Sequence, residues 1–436
     1  MALDIAAVFH NAAELAERSP SPLAQGLEGS EILAIAGQVK AMKASGTALG
    51  DFTIGDFRPD IFPIPDAFRT RIKAELDAGQ TNYPPAVGIP ELREAVRGFY
   101  ADRLGLDYPE GTVQIGAGAR PPIYAAFRTI LERGDEVVYP VPTWNIRYYV
   151  YLNEAVGVPI VTRPENGFMP TAAELLPHLP TARMVVLNSP LNPCGTVIAK
   201  DLLTEICEAI VAENERRLAA GERPLILLYD QVYWQLTFSG YTHHTPVDLV
   251  PAMAEYTIFV DAISKCWAAT GLRVGWAVAP PWIRGRMAPL VGHMGAWAAR
   301  AEQQATAAML REPADVDAFL TDFRAAVVRR LEILRDGVYA MKAKGLPVDC
   351  LDAQGAIYLS VRFDLAGKTH PRHGLIEGDE GIRELLLQQA SIAVVPFTAF
   401  GYPAGTGWTR FSVGAVTERD VSDAVSRLSE LLSEIE

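Results

Sequence analysis

Between residues 86 and 290 short apolar runs alternate with longer amphipathic ones. Segments 112–115, 136–139, 183–188, 225–230, 256–261 and 273–278 are rich in Val, Ile, Leu, Tyr and Phe and end at turn-forming residues. Segments 90–103 and 201–219 instead carry apolar residues at helical spacing. Short runs without polar alternation predict strands buried on both faces, and the intervening helices predict parallel pairing. The expected architecture is therefore α/β: a mostly parallel sheet between two layers of helices. Ligands of such sheets sit beyond the carboxyl ends of the strands. Asp230 and Lys265 both fall at that end.

From residue 315 the pattern changes. A long helix over 315–344 precedes strand-like segments 356–363, 392–395 and 410–413 and a last amphipathic helix over 418–432. This predicts a smaller α+β domain. Ahead of residue 86 the chain predicts an N-terminal amphipathic helix, a second helix over 30–45 and the Gly/Pro-containing stretch 53–65, too poor in apolar residues for a domain. The expected division is residues 1–85 as an arm packed on the smaller unit, 86–314 as the large domain and 315–436 as the small one.

Composition narrows the chemistry. The 436 residues are 49% hydrophobic, enough for a large core, and no apolar run reaches the ~20 residues of a membrane span. With no export pattern at the N-terminus, the cytoplasm is the expected location. A net charge of −13 without a Lys/Arg cluster argues against nucleic acid or an anionic membrane as partner, which leaves small metabolites. Cys194, Cys207, Cys266 and Cys350 are too dispersed for a zinc site or a disulfide framework, and no metal is expected.

Lys265 is the only lysine between Lys200 and Lys342, and it follows a buried strand directly. An amine so placed must be paired, titrated or used, and its readiest covalent use is an imine with an aldehyde such as pyridoxal 5′-phosphate. Asp230 ends another strand, with Tyr233 three residues on; it suits a protonated pyridine nitrogen, or a helix N-cap. Asn192 sits in a proline-stiffened turn that could aim its amide into a crevice or be a turn alone. Gly116 to Arg120 form a small-residue link between strand and helix, open to a phosphate. Trp144 offers a flat face for a flat ring, or a core anchor. Arg410, in an apolar strand, suits bidentate capture of a carboxylate or a structural ion pair.

In this order the segments Asn192-Pro193-Cys194-Gly195, Asp230 to Tyr233, and Ser264-Lys265 followed by Arg273 and Gly275 resemble the fold-type I pyridoxal-phosphate enzymes, specifically the class I/II aminotransferases of the aspartate aminotransferase superfamily. The resemblance runs from about residue 30 to the C-terminus. It implies a seven-stranded, mostly parallel sheet in the large domain. It implies Lys265 as the residue of the internal aldimine and the base that moves the Cα proton, with Asp230 on the pyridinium. Asn192 and Tyr233 would then meet the phenolic oxygen, and Trp144 would stack on the ring. Ser264 and Arg273 would bind the phosphate with Gly118, Ala119 and Arg120, and Tyr83 would reach the phosphate of a neighbouring subunit, which implies a homodimer. Arg410 would clamp the substrate carboxylate with the backbone of Gly55.

The implied activity is ping-pong transfer of an amino group between an amino acid and a 2-oxo acid. A lyase or synthase on the same fold is the alternative, since the same residues serve elimination, replacement and cyclisation. The turn has Cys194 where the family usually has Thr. Dicarboxylate-specific relatives carry a second arginine at a place that falls here near Val291, and Arg300 is the nearest substitute. The side-chain pocket is expected around Gly55, Asn145, Tyr233 and Trp297, whose aromatic content favours a neutral or aromatic substrate.

Overall fold

A computed structural model describes residues 4–6, 9–46 and 49–436. Its largest sheet has seven strands in the order Val113–Ala117, Val274–Val278, Thr257–Ala262, Ile226–Asp230, Ala182–Asn188, Glu136–Val141, Val156–Val161. Val274–Val278 is antiparallel to both its neighbours and every other pairing is parallel. Side chains alternate between two apolar layers. Val185, Leu187, Leu227, Tyr229 and Phe259 enter the larger core, while Met184, Val186, Ile226, Leu228 and Ile258 enter a second core on the opposite face. Helices Arg120–Ile130 and Pro281–Met294 cover that second face. The large unit is thus the three-layer α/β/α fold that the sequence predicts.

The periodicity located six of these strands and missed Val156–Val161. That strand is at the sheet edge with Val156 and Val161 about half exposed, and it contains Pro159. Only Ile160 in it is buried, so the run lacks the continuous burial that marks the interior strands.

Helix ends follow local chemistry. Pro90–Leu104 begins on a proline at its first position and stops at Gly105, whose φ of +68° is left-handed. Glu418–Ser433 begins with a capping box between Thr417 and Asp420.

The smaller unit is a four-stranded antiparallel sheet, in the order Val395–Pro396, Trp408–Ser412, Tyr358–Phe363, Val348–Cys350, packed by helices Pro313–Ala343 and Glu418–Ser433. The single strand expected over 392–395 is two. Ile392–Ala393 pairs in parallel with Gly50–Asp51, and only Val395–Pro396 joins the four-stranded sheet. Arg410 is at the centre of its strand rather than the start, paired with Ser360 on one side and Val395 on the other.

The segment before residue 86 divides its contacts. Gly50–Asp51 adds to the smaller unit, whereas helix Asp66–Asp77 packs on helix Arg300–Leu310. Helix Ala12–Arg18 buries no side chain. Helix Glu31–Ala44 buries Ile35 and Val39 and turns Ile32, Leu33 and Ala36 toward the cavity described next.

Candidate active site

A cavity of ≈ 350 Å³ opens where the carboxyl ends of the central strands face the smaller unit. Lys265 and Asp230 both line it, with Asn192, Tyr233, Trp144, Ala119, Arg120, Ser264, Arg273, Gly55 and Arg410. Those residues come from seven separated stretches of chain, and the sheet brings them together. Gly118 lies directly behind Arg273, and Tyr83 lies elsewhere.

Lys265 sits on the one-turn helix Ile263–Cys266, which begins where strand Thr257–Ala262 ends. Its Nζ donates to the Gly55 carbonyl, 5.9 Å from the centre of the Tyr233 ring. Burial pulls its pKa down to about 8; the Asp56 carboxylate opposes this, while Arg410, Arg120 and Arg273 reinforce it. The neutral amine that nucleophilic attack needs is therefore more accessible near neutral pH than in an ordinary lysine.

Asp230 ends its strand, and its carboxylate accepts from the Val232 amide at 3.2 Å. Burial raises its pKa to about 6, against the pull of that amide and of Lys265. A buried carboxylate with one hydrogen bond remains receptive to a cation, and a protonated ring nitrogen is such a cation.

A further group of lining residues is suited to anions. Gly118 has φ +78°, and a Cβ there would lie 2.2 Å from a terminal nitrogen of Arg273, so only glycine lets that guanidinium pass. Arg273 donates to the carbonyls of Thr270 at 2.6 Å and Ala117 at 3.1 Å. Gly275 is equally constrained, because a Cβ would come within 2.7 Å of the Ala119 nitrogen. Helix Arg120–Ile130 starts here. First-turn N–H groups lack acceptors within the helix, and Pro121 and Pro122 have none, so the free donors concentrate at Ala119 and Arg120. With Ser264 8% exposed beside them, this cradle suits a phosphate.

Arg410 is 1% exposed. It donates to Asn192 Oδ1 at 3.0 Å and to the Thr53 carbonyl at 2.6 Å, and its buried Nε has no partner. Burial lowers its pKa. An incompletely satisfied guanidinium lining a cavity is a receptor for a carboxylate. A cradle for phosphate, a carboxylate for a pyridinium and an amine in the same cavity fit pyridoxal 5′-phosphate.

Several expectations change. The Arg120 side chain stacks over the Trp144 ring at 4.6 Å, so it occupies one face of that indole in addition to offering its amide to the cradle. Tyr83 is 83% exposed and packs edge-on against Trp297, outside the cavity of its own chain. Trp297 and Asn145 do not line the cavity; Ile32, Leu33 and Ala36 of the N-terminal helix do. Arg300 donates to Gln80 Oε1 at 2.7 Å, away from the cavity, and Val291 is fully buried in its helix.

Sequence reading missed Asp56, Thr270 and Tyr358. Asp56 accepts from the Thr270 hydroxyl at 2.5 Å, and the Tyr358 hydroxyl lies 2.5 Å from that of Tyr233. Thr270 lies between Lys265 and Arg273, and Asp56 follows Gly55, so both could have been singled out by position; Tyr358 opens a small-domain strand whose partner across the cavity no local pattern indicates.

Comparison with known proteins agrees with this geometry. The family model for aminotransferase class I and II matches residues 49–428. An aspartate aminotransferase of Pyrococcus horikoshii is 32% identical over 396 residues, covering 87% of this chain and 90% of its own. The crystal structure of the Rhizobium meliloti aspartate aminotransferase superposes with a TM-score of 0.86 at 27% identity, covering 96% of this chain and 99% of that one. The Thermus thermophilus aspartate aminotransferase with maleate gives 0.83 at 26% identity, covering 95% and 100%. The chain belongs to the class I and II aminotransferases: a pyridoxal-phosphate-dependent enzyme that moves an amino group between an amino acid and a 2-oxo acid.

Proposed function

We propose that Lys265, Asp230 and Tyr233 are the catalytic residues of this transamination, with substrate held by Arg410. The observation that carries this reading is the common cavity of Lys265 and Asp230, lined also by Arg410 and by Arg273, whose guanidinium packs against Gly118. Pyridoxal 5′-phosphate supplies the aldehyde and an electron-withdrawing ring. Asp230 would hold negative charge toward the ring nitrogen and keep it protonated. Asn192 and Tyr233 would donate to the phenolic oxygen, and Trp144 would hold the ring in place. Gly118, Ala119, Arg120, Ser264 and Arg273 bind the phosphate. Arg410 and the Gly55 backbone take the substrate α-carboxylate, which orients Cα toward Lys265, the base that removes and returns its proton. Lys265→Ala should remove the visible absorption of the lysine-bound cofactor and lower turnover by at least ~10⁴-fold with the fold intact. Ordinary turnover in that variant would end the assignment.

The side chain that the cavity accepts is a finer question. Arg120 has no carboxylate partner among the described residues and lines the cavity beside Trp144. A second substrate carboxylate would supply that partner, and this supports a dicarboxylic substrate such as aspartate over the neutral or aromatic one that the sequence suggests. Against a panel of donors, Arg120→Met should cost ~10–100-fold in kcat/KM for aspartate and glutamate while leaving phenylalanine little changed. Equal losses for all donors would assign Arg120 to the phosphate alone.

Tyr83, exposed in one chain, supports a homodimer in which each Tyr83 serves the other subunit's cradle. A mixed dimer of Tyr83→Phe and Lys265→Ala chains should regain one site of near-normal phosphate affinity. No helix among the described residues is long and apolar enough to cross a membrane, which accords with a cytoplasmic enzyme.

A further inference from the structure

Tyr358 opens strand Tyr358–Phe363 of the smaller unit and is fully buried. Its hydroxyl is 2.5 Å from that of Tyr233, which follows strand Ile226–Asp230 of the large unit, so the two phenols join the units across the cavity. The Arg410 guanidinium lies 4.7 Å from the Tyr358 ring. Space for the hydroxyl is reserved: a Cβ on Gly55 would come within 2.9 Å of it. Burial pushes both phenols up, so each keeps its proton around neutral pH. The charged groups facing the pair are Arg410, Asp230, Asp56 and Lys265, and among the described residues none hydrogen-bonds either hydroxyl.

The direction of the hydrogen bond follows from proton counting. A phenol has one hydrogen to give, and either oxygen could be the donor in the isolated pair. Resting on the proposed role of Tyr233, whose hydrogen goes to the phenolic oxygen of the cofactor, the shared hydrogen must come from the other ring. We propose that Tyr358 is a positioning residue that donates its hydroxyl hydrogen to Tyr233, turning the Tyr233 hydrogen into the cavity and strengthening it as a donor. Polarisation along a chain of hydroxyls makes the terminal hydrogen more acidic. A stronger donor favours negative charge on the phenolic oxygen and so lowers the pKa of the lysine-bound cofactor.

The test is the pH dependence of the visible absorption band in three holoenzymes: the unaltered protein, Tyr358→Phe and Tyr233→Phe. The phenylalanine at 358 keeps the ring under Arg410 and loses only the hydroxyl. Its spectroscopic midpoint should rise by roughly half to one pH unit, and Tyr233→Phe should raise it at least as far. An unshifted midpoint in Tyr358→Phe beside a shifted one in Tyr233→Phe would overturn the inference alone. No shift in either would overturn the role of Tyr233 itself.

Discussion

Asn192 Oδ1 accepts from Arg410 Nη1 at 3.0 Å, which ties the turn after one large-domain strand to the centre of a small-domain strand. The amide is then oriented: with its oxygen committed to Arg410, its nitrogen is the atom left to face the cavity. Asn192→Ala removes one of two acceptors from a buried guanidinium and frees it to rotate. We expect the KM for the amino donor to rise ~10–100-fold, the equivalent of ~1.5–3 kcal/mol for a hydrogen bond to a charged group, with a smaller fall in kcat. Unchanged KM would mean that the Thr53 carbonyl alone fixes Arg410.

Gly118 carries both a left-handed φ and the passage of Arg273 behind it. Gly118→Ala therefore meets strain and collision together, and relief requires Arg273 to move. The expected result is a cofactor dissociation constant raised by ~100-fold or more, measured by equilibrium dialysis against free pyridoxal 5′-phosphate, with the secondary structure by circular dichroism retained.

Asp230 has a folded pKa near 6, above its ordinary value of 3.8, because burial disfavours the charge. The folded apoprotein consequently binds a proton that the unfolded chain does not between those two values, and this contribution to stability is present below pH ~4 and lost as pH rises through 6. At pH 7.5 the apoprotein of Asp230→Asn should be more stable than the parent, by at most ~3 kcal/mol, while its holoenzyme loses most activity. A chemical denaturation series at pH 5, 6 and 7.5 checks the sign: the difference should grow with pH.

Lys265 has its pKa lowered to about 8 by burial, so the neutral amine becomes the major form only above that value. The second-order rate at which apoenzyme combines with pyridoxal 5′-phosphate, followed by stopped-flow absorbance, should climb with pH, pass half its maximum near 8 and level off about one unit above. A rate still rising steeply toward pH 10 would show that the amine titrates as an ordinary lysine.

The sequence by itself determined the layered α/β architecture and most of the chemistry, because both rest on local order. Continuous apolar runs such as 183–188 fix buried strands, and Lys265, Asp230 and Asn192 each follow such a run directly, so strand polarity puts them at one end of the sheet. What lies off those ends was decided by tertiary structure. Tyr358 and Asp56 come from segments whose contacts are more than a hundred residues away in the chain, and no local pattern encodes which side chain a distant strand will oppose. The same holds for Arg120, whose side chain settles on Trp144, and for helix Glu31–Ala44, whose Ile32, Leu33 and Ala36 replace Asn145 and Trp297 at the cavity. Periodicity states which face of an element is apolar; only the packing of two units against each other states what that face meets.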